Sequence, residues 1–336
     1  MARTRKIGRP GGVQATVTDL GASLVSLFVP TPGGSALDVV LGFDEVERYG
    51  SNPAHLGAVV GRVANRIGGA RFSLHGREVR LPAFERGNYL HGGPYFWHDR
   101  TWRFVDEEQD RVTLALESPD GDQGFPGAVH AQVSYEASDC SLAIDYVCEA
   151  DALTPINLTN HSYFNLNGQG SGSVVGHRVQ VLADKITATR DDLVPTGELA
   201  SVAGTPFDLR APRELRCGLK AGLAQREPER GFDHNYVLRG FSPRDDRVGD
   251  VRPVASVWGD ASGIRMDVLS DLPGLQLYTA NYLDEPHGKD GFAYGPYDAV
   301  CLETQFFPDA VNHPEFAQPI FGPDRCFVST TEFRFS

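Results

Sequence analysis

Short runs in which apolar and polar residues alternate, separated by turn signals about every ten residues, most constrain the fold of this chain. Successive side chains of a β-strand point to opposite faces, so each run is typical of one strand. Single strands are predicted at residues 23–30, 37–43, 130–137 and 141–150. Hairpins are predicted at residues 71–81 and 101–118. Helical periodicity is scarce and indicates only short turns at residues 213–215 and 222–227. The pattern predicts an all-β fold, either a sandwich or a barrel.

The composition bounds the size of this fold and its partners. The chain has 336 residues, of which 41% are hydrophobic, and this is ample for a large core. No repeat, linker or shift in composition divides the sequence, so residues 1–336 are expected to form a single domain. The formal charge of -13 argues against binding to nucleic acid or to an anionic membrane, because both require a basic surface.

The cysteines and the N-terminus indicate the compartment. The cysteines are odd in number and scattered, and none forms a C-x-x-C pair, so reduced thiols are expected rather than disulfides or a zinc ribbon. They are Cys140, Cys148, Cys217, Cys301 and Cys326. The basic N-terminus lacks the apolar stretch of a secretory signal, and no apolar run approaches the roughly 18 residues of a transmembrane helix. A soluble, cytoplasmic protein is therefore expected.

The stretch INLTNHSYFNL, residues 156–166, is unusual for a strand because one predicted face is polar but uncharged. That face carries Asn157, Thr159, His161, Tyr163 and Asn165. A face open to water usually carries charged residues, and a face packed in an apolar core would leave five polar groups in need of partners. A semi-enclosed polar cavity agrees with both observations. The alternative is that His161 is a structural histidine whose neighbours satisfy it.

Further polar groups lie in short glycine-rich or strand-like stretches. GRVANRIGG sets Asn65 and Arg66 among small residues, and NYLHGG places His91 before two glycines, which let a backbone approach a ligand closely. GFDHNYVL carries Asp233 at the mouth of a strand, and in LPGLQLYTAN the alternation points Gln276 away from its apolar neighbours. Taken singly, these residues are also compatible with a surface ion pair or a tight turn.

Glu303 is the most informative carboxylate. In AVCLETQFFPDAVNHPEF the alternation puts Glu303 on one face with Gln305, while Leu302 and Thr304 lie on the other. A solvated charge is poorly placed in such an apolar strand. Partial burial would raise the pKa of Glu303 towards the range useful for a general base.

These motifs together resemble the aldose 1-epimerases. The resemblance runs from residue 19 to the closing FRFS and rests on nine motifs in the order of the family. They are GRVANRI, LHGG, GDQGFPG, NHSYFNL, DLVPTGE, TPFDL, DHNYVL, PGLQLYTAN and ETQFFPDAVNHPEF. The resemblance implies a large antiparallel β-sandwich with a sugar site in an open cleft. It implies that the chain interconverts the α and β anomers of free aldoses, with galactose and glucose as the expected substrates.

The resemblance also assigns roles to residues. It implies that Glu303 is the catalytic base and His161 the catalytic acid. It implies that the sugar is held by Asn65, Arg66, His91, Asp233 and Gln276. No metal ion or organic cofactor is expected, and a monomer or homodimer is expected. In chemical terms, opening the sugar ring removes a proton from the anomeric hydroxyl and adds one to the ring oxygen. A carboxylate and a protonated imidazole on two different oxygens serve this step.

Four other functions remain open on the residues alone. A glycoside hydrolase would use Glu303 and Asp233 as its carboxylate pair, and a non-catalytic domain would bind sugar without changing it. A hexose-phosphate epimerase would require a cluster of basic residues, and only Arg66 and Arg62 lie near the motifs. A cupin-like metal site lacks the usual close His-x-His pair.

Overall fold

The computed structural model describes residues 1–31, 33–223, 229–241 and 250–336. Antiparallel strands dominate these residues, together with one short α-helix, α1 (Leu215–Lys220). The turn predicted at residues 213–215 is the junction at which a strand ends and α1 begins. The turn predicted at residues 222–227 falls mostly outside the described residues.

The strands are numbered in chain order. The N-terminal half contains β1 (Thr4–Gly8), β2 (Gln14–Thr18), β3 (Leu24–Pro30), β4 (Ala36–Asp38), β5 (Ala58–Val60), β6 (Arg66–Ile67), β7 (Arg71–Leu74), β8 (Arg77–Arg80), β9 (Tyr89–Leu90), β10 (Arg103–Glu107), β11 (Arg111–Ser118), β12 (Val129–Ala137), β13 (Ser141–Ala150), β14 (Thr154–Pro155) and β15 (Thr159–His161). The C-terminal half contains β16 (Arg178–Val181), β17 (Ala183–Thr189), β18 (Pro195–Ser201), β19 (Arg213–Glu214), β20 (Asp233–Leu238), β21 (Arg252–Trp258), β22 (Arg265–Ser270), β23 (Gly274–Tyr278), β24 (Cys301–Gln305), β25 (Ile320–Phe321) and β26 (Phe327–Phe335). Short 3₁₀ turns lie at Val46–Gly50, Gly68–Ala70, Trp97–Asp99, Asp122–Gly124, Lys289–Gly291 and Ala310–Asn312.

Two sheets form the body of the sandwich. The larger sheet has nine strands in the order β10-β11-β12-β13-β26-β22-β21-β16-β19, and the second has five in the order β18-β17-β20-β23-β24. Apolar side chains from both sheets belong to one continuous core, with Ile144 and Phe333 contributed by the first sheet and Leu275 and Leu302 by the second. This is the all-β sandwich that the alternating sequence predicts.

Most predicted strands agree with the structure. Residues 23–30, 130–137 and 141–150 correspond to β3, β12 and β13, and the two predicted hairpins are β7–β8 and β10–β11. His75 and Gly76 turn the first hairpin with φ of 50° and 76°, the left-handed region that glycine adopts readily. The strand predicted at residues 37–43 is shorter, since β4 ends at Asp38 and only Val40 continues, as an isolated bridge to Phe164.

Strand register brings distant parts of the sequence together. In the five-stranded sheet, Gln276 of β23 lies opposite Asn235 of β20 on one side and opposite Glu303 of β24 on the other. Beside this sheet, β15 pairs with β5, so that His161 lies opposite Ala58. Residues far apart in the chain therefore meet at one edge of the sandwich. Among the described residues, no helix has the length and apolar character needed to cross a membrane.

Candidate active site

A cavity of about 330 Å³ opens where β15, β20, β23 and β24 meet the loops that precede β5 and follow β9. All seven residues predicted to form the site line this cavity. They are Asn65, Arg66, His91, His161, Asp233, Gln276 and Glu303. Fold and register thus bring together side chains separated by more than half of the sequence.

The floor of the cavity is the edge of the five-stranded sheet. Gln276 and Glu303 face the cavity, whereas their strand neighbours Leu275, Leu277 and Leu302 face the core. This confirms the alternation predicted for both strands. The Gln276 side chain donates from Nε2 to Asp233 Oδ1 at 2.6 Å, which fixes two polar groups of the floor relative to each other.

The wall formed by residues 156–166 agrees with the prediction only in part. His161 and Tyr163 line the cavity. The prediction that the whole polar face does so is wrong for Asn157, Thr159 and Asn165, which do not line the cavity. Asn157 exchanges hydrogen bonds with the backbone of Phe306, and Asn165 Nδ2 donates to the carbonyls of Gly172 and Asp298. Their amides are satisfied by loop backbone rather than by a ligand.

The opposite wall is made of loops in unusual backbone conformations. Asn65 and His91 both have positive φ, 63° and 52°. The Asn65 amide donates to His91 Nδ1 at 3.3 Å, and Asn65 Oδ1 accepts from the Arg66 amide at 2.9 Å. Gly92 has φ of 105°, and a Cβ there would lie 2.1 Å from the Gly61 carbonyl oxygen. The glycine after His91 therefore serves the close approach of two segments of the chain, not of a ligand as predicted.

Glu303 and His161 form the chemical centre of the cavity. Glu303 Oε1 lies 3.5 Å from His161 Nε2, and both side chains are almost fully buried. Burial raises the pKa of Glu303 well above its ordinary value, and the nearby charge of Asp233 raises it further. This direction agrees with the prediction for a general base. Glu303 Oε2 is buried without a hydrogen-bond partner.

Burial also shifts the pKa of His161. Burial lowers it to about 3, and the neighbouring His55 adds to the shift. Burial thus favours the neutral imidazole in the free cleft, whereas the role of catalytic acid requires a protonated ring. Its Nδ1 lies 3.7 Å from Cys301 Sγ, so no strong hydrogen bond holds that side of the ring.

The charges around the centre nearly balance. Arg66 Nε donates to Glu85 Oε2 at 3.1 Å, and Arg86 Nε lies 3.2 Å from Glu85 Oε1. Burial raises the pKa of Asp233, and the positive charge of Arg66 opposes this shift. Two guanidinium groups thus face three carboxyl groups across the cavity, those of Glu85, Asp233 and Glu303.

Known proteins resemble this chain along nearly its whole length. The sequence profile of the family Aldose 1-epimerase matches residues 3–334. A galactose mutarotase from Bos taurus is 41% identical over 327 residues, which cover 96% of this chain and 91% of that protein. An aldose 1-epimerase from Escherichia coli strain K12 is 37% identical over 328 residues, covering 96% of this chain and 92% of that protein. The chain belongs to the aldose 1-epimerase family.

Solved structures agree with this membership. A homologue of the aldose epimerases from C. elegans superposes with a TM-score of 0.91 at 29% identity, covering 100% of this chain and 99% of that chain. A galactose 1-epimerase from Lactobacillus acidophilus superposes with a TM-score of 0.83 at 25% identity, covering 100% and 98%. The resemblance drawn from the sequence motifs is confirmed, and so is the sandwich fold.

Sequence reasoning missed several residues of this aldose 1-epimerase cleft. His55 and Tyr278 line the cavity, and Glu85 pairs with the predicted Arg66. Tyr278 lies two residues from Gln276, so strand alternation could have found it. No sequence signal indicated His55 or Glu85, because both lie in irregular loops.

The same cleft contains donor atoms that a cation could use. One donor atom each of His91, His161 and Glu303 lies within 4.8 Å of the others, which is the one such group among the described residues. Two imidazoles and a carboxylate suit zinc or a similar divalent ion by donor type. The expectation that the chain needs no metal or cofactor stays a prediction.

Proposed function

We propose that this chain is an aldose 1-epimerase that interconverts the α and β anomers of a free aldose by opening and reclosing the sugar ring. The observation that carries the proposal is the buried pair of Glu303 and His161, 3.5 Å apart, in a cavity otherwise lined by hydrogen-bonding groups. Family membership along the whole chain supports the same activity. The glycoside hydrolase and the non-catalytic binding domain are not favoured by these relatives.

Galactose and glucose are the proposed substrates. Several relatives are named galactose mutarotases, and the cavity of about 330 Å³ lies at the lower end of the roughly 300–1,000 Å³ typical of small-molecule sites. A hexose phosphate fits less well. The guanidinium groups of Arg66 and Arg86 are already paired with Glu85, whose carboxylate would repel a phosphate. Arg62, the other basic residue considered, does not line the cavity.

We infer that the catalytic pair works with one shared proton. Because burial disfavours charge on both groups, the free cleft keeps this proton on Glu303 and leaves His161 neutral. The ion pair of carboxylate and imidazolium contains the same number of protons. Polar contacts from a bound sugar would favour that ion pair, which is the form that starts ring opening.

In this mechanism Glu303 takes the proton of the anomeric hydroxyl while His161 gives one to the ring oxygen. Ring opening then returns the pair to its neutral form, with the proton again on Glu303. After rotation about the bond between C1 and C2, the same two groups reverse their roles and close the ring on the other face. General acid–base groups of this kind contribute about 10²–10⁴-fold each.

The remaining predicted residues would hold the sugar while C1 rotates. Asn65, Arg66, His91, Asp233 and Gln276 line the cavity, and each carries a group that can bond to a hydroxyl. The hydrogen bond between Gln276 and Asp233 and the ion pair between Arg66 and Glu85 fix three of these side chains before a sugar enters. Such preorganisation reduces the entropy cost of binding.

The setting of this activity is also proposed. We expect one domain over residues 1–336, a monomer or homodimer, no nucleic-acid partner and no cofactor. A cytoplasmic location is supported by five cysteines that are all free in the structure, as a reducing compartment requires.

Polarimetry of freshly dissolved α-D-galactose tests the activity and the role of the carboxylate together. Wild type should speed the approach to the anomeric equilibrium, and Glu303→Gln should lower the rate about 10²–10⁴-fold while the protein stays folded. Glu117→Gln is the matched control, since Glu117 is an exposed carboxylate on β11. A wild type no faster than buffer with galactose and glucose would contradict the proposal. An active Glu303→Gln variant would contradict only the assigned base.

A further inference from the structure

His55 and His98 form a hydrogen-bonded pair beside the catalytic histidine. His55 Nδ1 lies 3.0 Å from His98 Nε2, and this is the hydrogen bond that the His55 ring makes among the described residues. The His55 ring lines the cavity, with its centroid 5.2 Å from that of His91 and 5.6 Å from that of His161. His98 lies behind it, outside the cavity lining, and is 1% exposed.

The loop that carries His55 is held rigidly. The buried side chain of Asn52 both accepts from the Leu56 amide and donates to the Leu56 carbonyl, each at 2.9 Å. Phe96 stacks on His98 with ring centroids 4.4 Å apart. The orientation of the His55 ring is therefore set before any ligand enters.

Each of the two rings carries one proton near neutral pH. Burial lowers the pKa of His55 to about 4 and that of His98 to about 2. A hydrogen bond between two neutral imidazoles requires a donor on one nitrogen and a lone pair on the other. Two arrangements are possible, and they present opposite groups to the cavity.

The surroundings of His98 select one arrangement. Its Nε2 lies 3.6 Å from Asp99 Oδ1, so the negative charge favours a proton on that nitrogen. Its Nδ1 is buried without a partner, and a bare lone pair there leaves no N–H donor unsatisfied. His98 Nε2–H then donates to His55 Nδ1, and the proton of His55 must reside on Nε2, the ring nitrogen to which no described residue is hydrogen-bonded.

We propose that His55, fixed by His98 as the Nε2–H tautomer, is a further sugar-binding residue that donates a hydrogen bond to an oxygen of the aldose. His98 is then a positioning residue that acts through His55 without touching the sugar. The inference rests on the proposed function of the cleft. It adds a hydrogen-bond donor next to His91 and His161. The sequence indicated neither that His55 belongs to the site nor that its ring donates rather than accepts.

Nitrogen-15 NMR of the histidine rings in the free protein tests the tautomer without any assay of activity. His55 is expected to show a protonated Nε2 and a bare Nδ1. The assignment follows from spectra of His55→Phe, in which its signals disappear. A His55 protonated on Nδ1 would present a lone pair to the cavity and would overturn the proposal.

Calorimetric titration with galactose and with glucose tests the sugar contact. His55→Phe keeps a ring but no donor, and it should weaken binding about three- to tenfold, the loss of one hydrogen bond. His98→Phe keeps the stacking on Phe96 and should weaken binding by a similar factor. His98→Gln supplies a new amide donor to His55 and should bring affinity back towards wild type. His75→Asn at the exposed hairpin turn is the control.

The outcomes separate the inference from the proposed function. If both phenylalanine variants are folded and bind sugar as tightly as wild type, the inference is overturned. If His98→Phe does not fold, His55→Phe alone decides. A wild type that binds galactose without interconverting its anomers would refute the proposed epimerase activity. The ratio of the galactose affinities of wild type and His55→Phe would still test the binding role of His55. A wild type that binds neither sugar overturns both.

Discussion

Two buried histidines in this molecule, His177 and His161, lie in regions of opposite character. Around His177 both ring nitrogens have good partners, since Nε2 accepts from the Leu166 amide at 3.0 Å and Nδ1 donates to Asp260 Oδ1 at 2.9 Å. Around His161 the nearest groups to the ring nitrogens lie at 3.5 Å and 3.7 Å, in Glu303 and Cys301. Similar burial thus has different consequences. The first ring ties loops together, and the second is left available for a ligand.

Unpaired polar atoms occur in the strands around the cleft as well as elsewhere in the described residues. Glu303 Oε2 and Thr159 Oγ1 are buried without partners in the strands that form the cleft, as are Gln305 Oε1 and Asn235 Nδ2 beside them. Buried polar groups are normally satisfied, because each unpaired one costs about 1–3 kcal/mol. Of these four residues only Glu303 lines the cavity, so its unpaired oxygen is the one that a bound molecule can reach.

The largest expected effect comes from making the same substitution, histidine to asparagine, at each of the two positions. His161→Asn should lower the rate of mutarotation about 10²–10⁴-fold with little change in thermal stability, because it removes the acid but no strong hydrogen bond. His177→Asn should lower stability by about 1–3 kcal/mol, because it leaves Asp260 and the Leu166 amide without their partner. Its activity per folded molecule should stay near wild type.

Polarimetry and thermal unfolding of both variants make this comparison. A His161→Asn variant with the mutarotation rate of wild type would show that His161 is a structural histidine and not the catalytic acid. A His177→Asn variant that is stable but inactive would show that the two regions are not separate. Either result would break the contrast drawn from their partners.

The two arginines of GRVANRI allow a second, smaller comparison. Arg62 is 1% exposed and donates to the carbonyls of Pro126, Gly127 and Ser118. Arg66 lines the cavity, and the structure gives its side chain one hydrogen bond, to Glu85. Arg62→Lys should therefore destabilise the fold by about 2–3 kcal/mol, since a lysine cannot reproduce the forked set of donors.

Arg66→Lys should leave stability nearly unchanged and raise KM for galactose about tenfold, the loss of one charged hydrogen bond to the sugar. Urea unfolding and steady-state polarimetry measure the two quantities. A large loss of stability in Arg66→Lys, with KM unchanged, would make this arginine structural as well. If Arg62→Lys and Arg66→Lys changed stability and KM alike, the motif would not contain one core arginine and one cavity arginine.

Strand alternation predicted much of the floor of the site, whereas Asn65, Arg66 and His91 of the opposite wall were assigned through the family motifs. The alternation in β23 and β24 was enough to point Gln276 and Glu303 away from the leucines of their own strands, because a strand repeats every two residues whatever surrounds it. Asn157 was misread although it shares a face with His161. Its partner is the backbone of Phe306, far along the chain, and no local pattern reveals such a contact.

His55 is a residue of the cleft that no sequence pattern indicated. Its φ of 59° is imposed by the packing of its loop, and no glycine or motif marks the position. Its significance arises only from the ring of His98, 43 residues away in the sequence. Family resemblance supplied the residues that match motifs, whereas the tautomer of this pair depends on contacts that exist only in the folded chain.

The smallest expected effect is on the pH dependence of folding stability, which also compares the surroundings of His98 with those of His177. Burial lowers the pKa of His98 to about 2, with the charges of His55 and His161 adding to the shift. A histidine with a lowered folded pKa stabilises the fold above its unfolded pKa of about 6.5, and this contribution is lost as pH falls towards the folded value. His98 alone should thus cost about 2 kcal/mol between pH 7 and pH 5.

His98→Phe should consequently lose about 2 kcal/mol less stability than wild type over that interval. Burial also lowers the pKa of His177, but the charge of Asp260 opposes the shift, so His177→Asn should flatten the pH dependence less. Urea unfolding of both variants at pH 7 and pH 5 measures the difference. If wild type and His98→Phe lose the same stability between pH 7 and pH 5, His98 becomes protonated in the folded cleft. That result would place a positive charge beside His55 and remove the neutral pair on which its proposed donor depends.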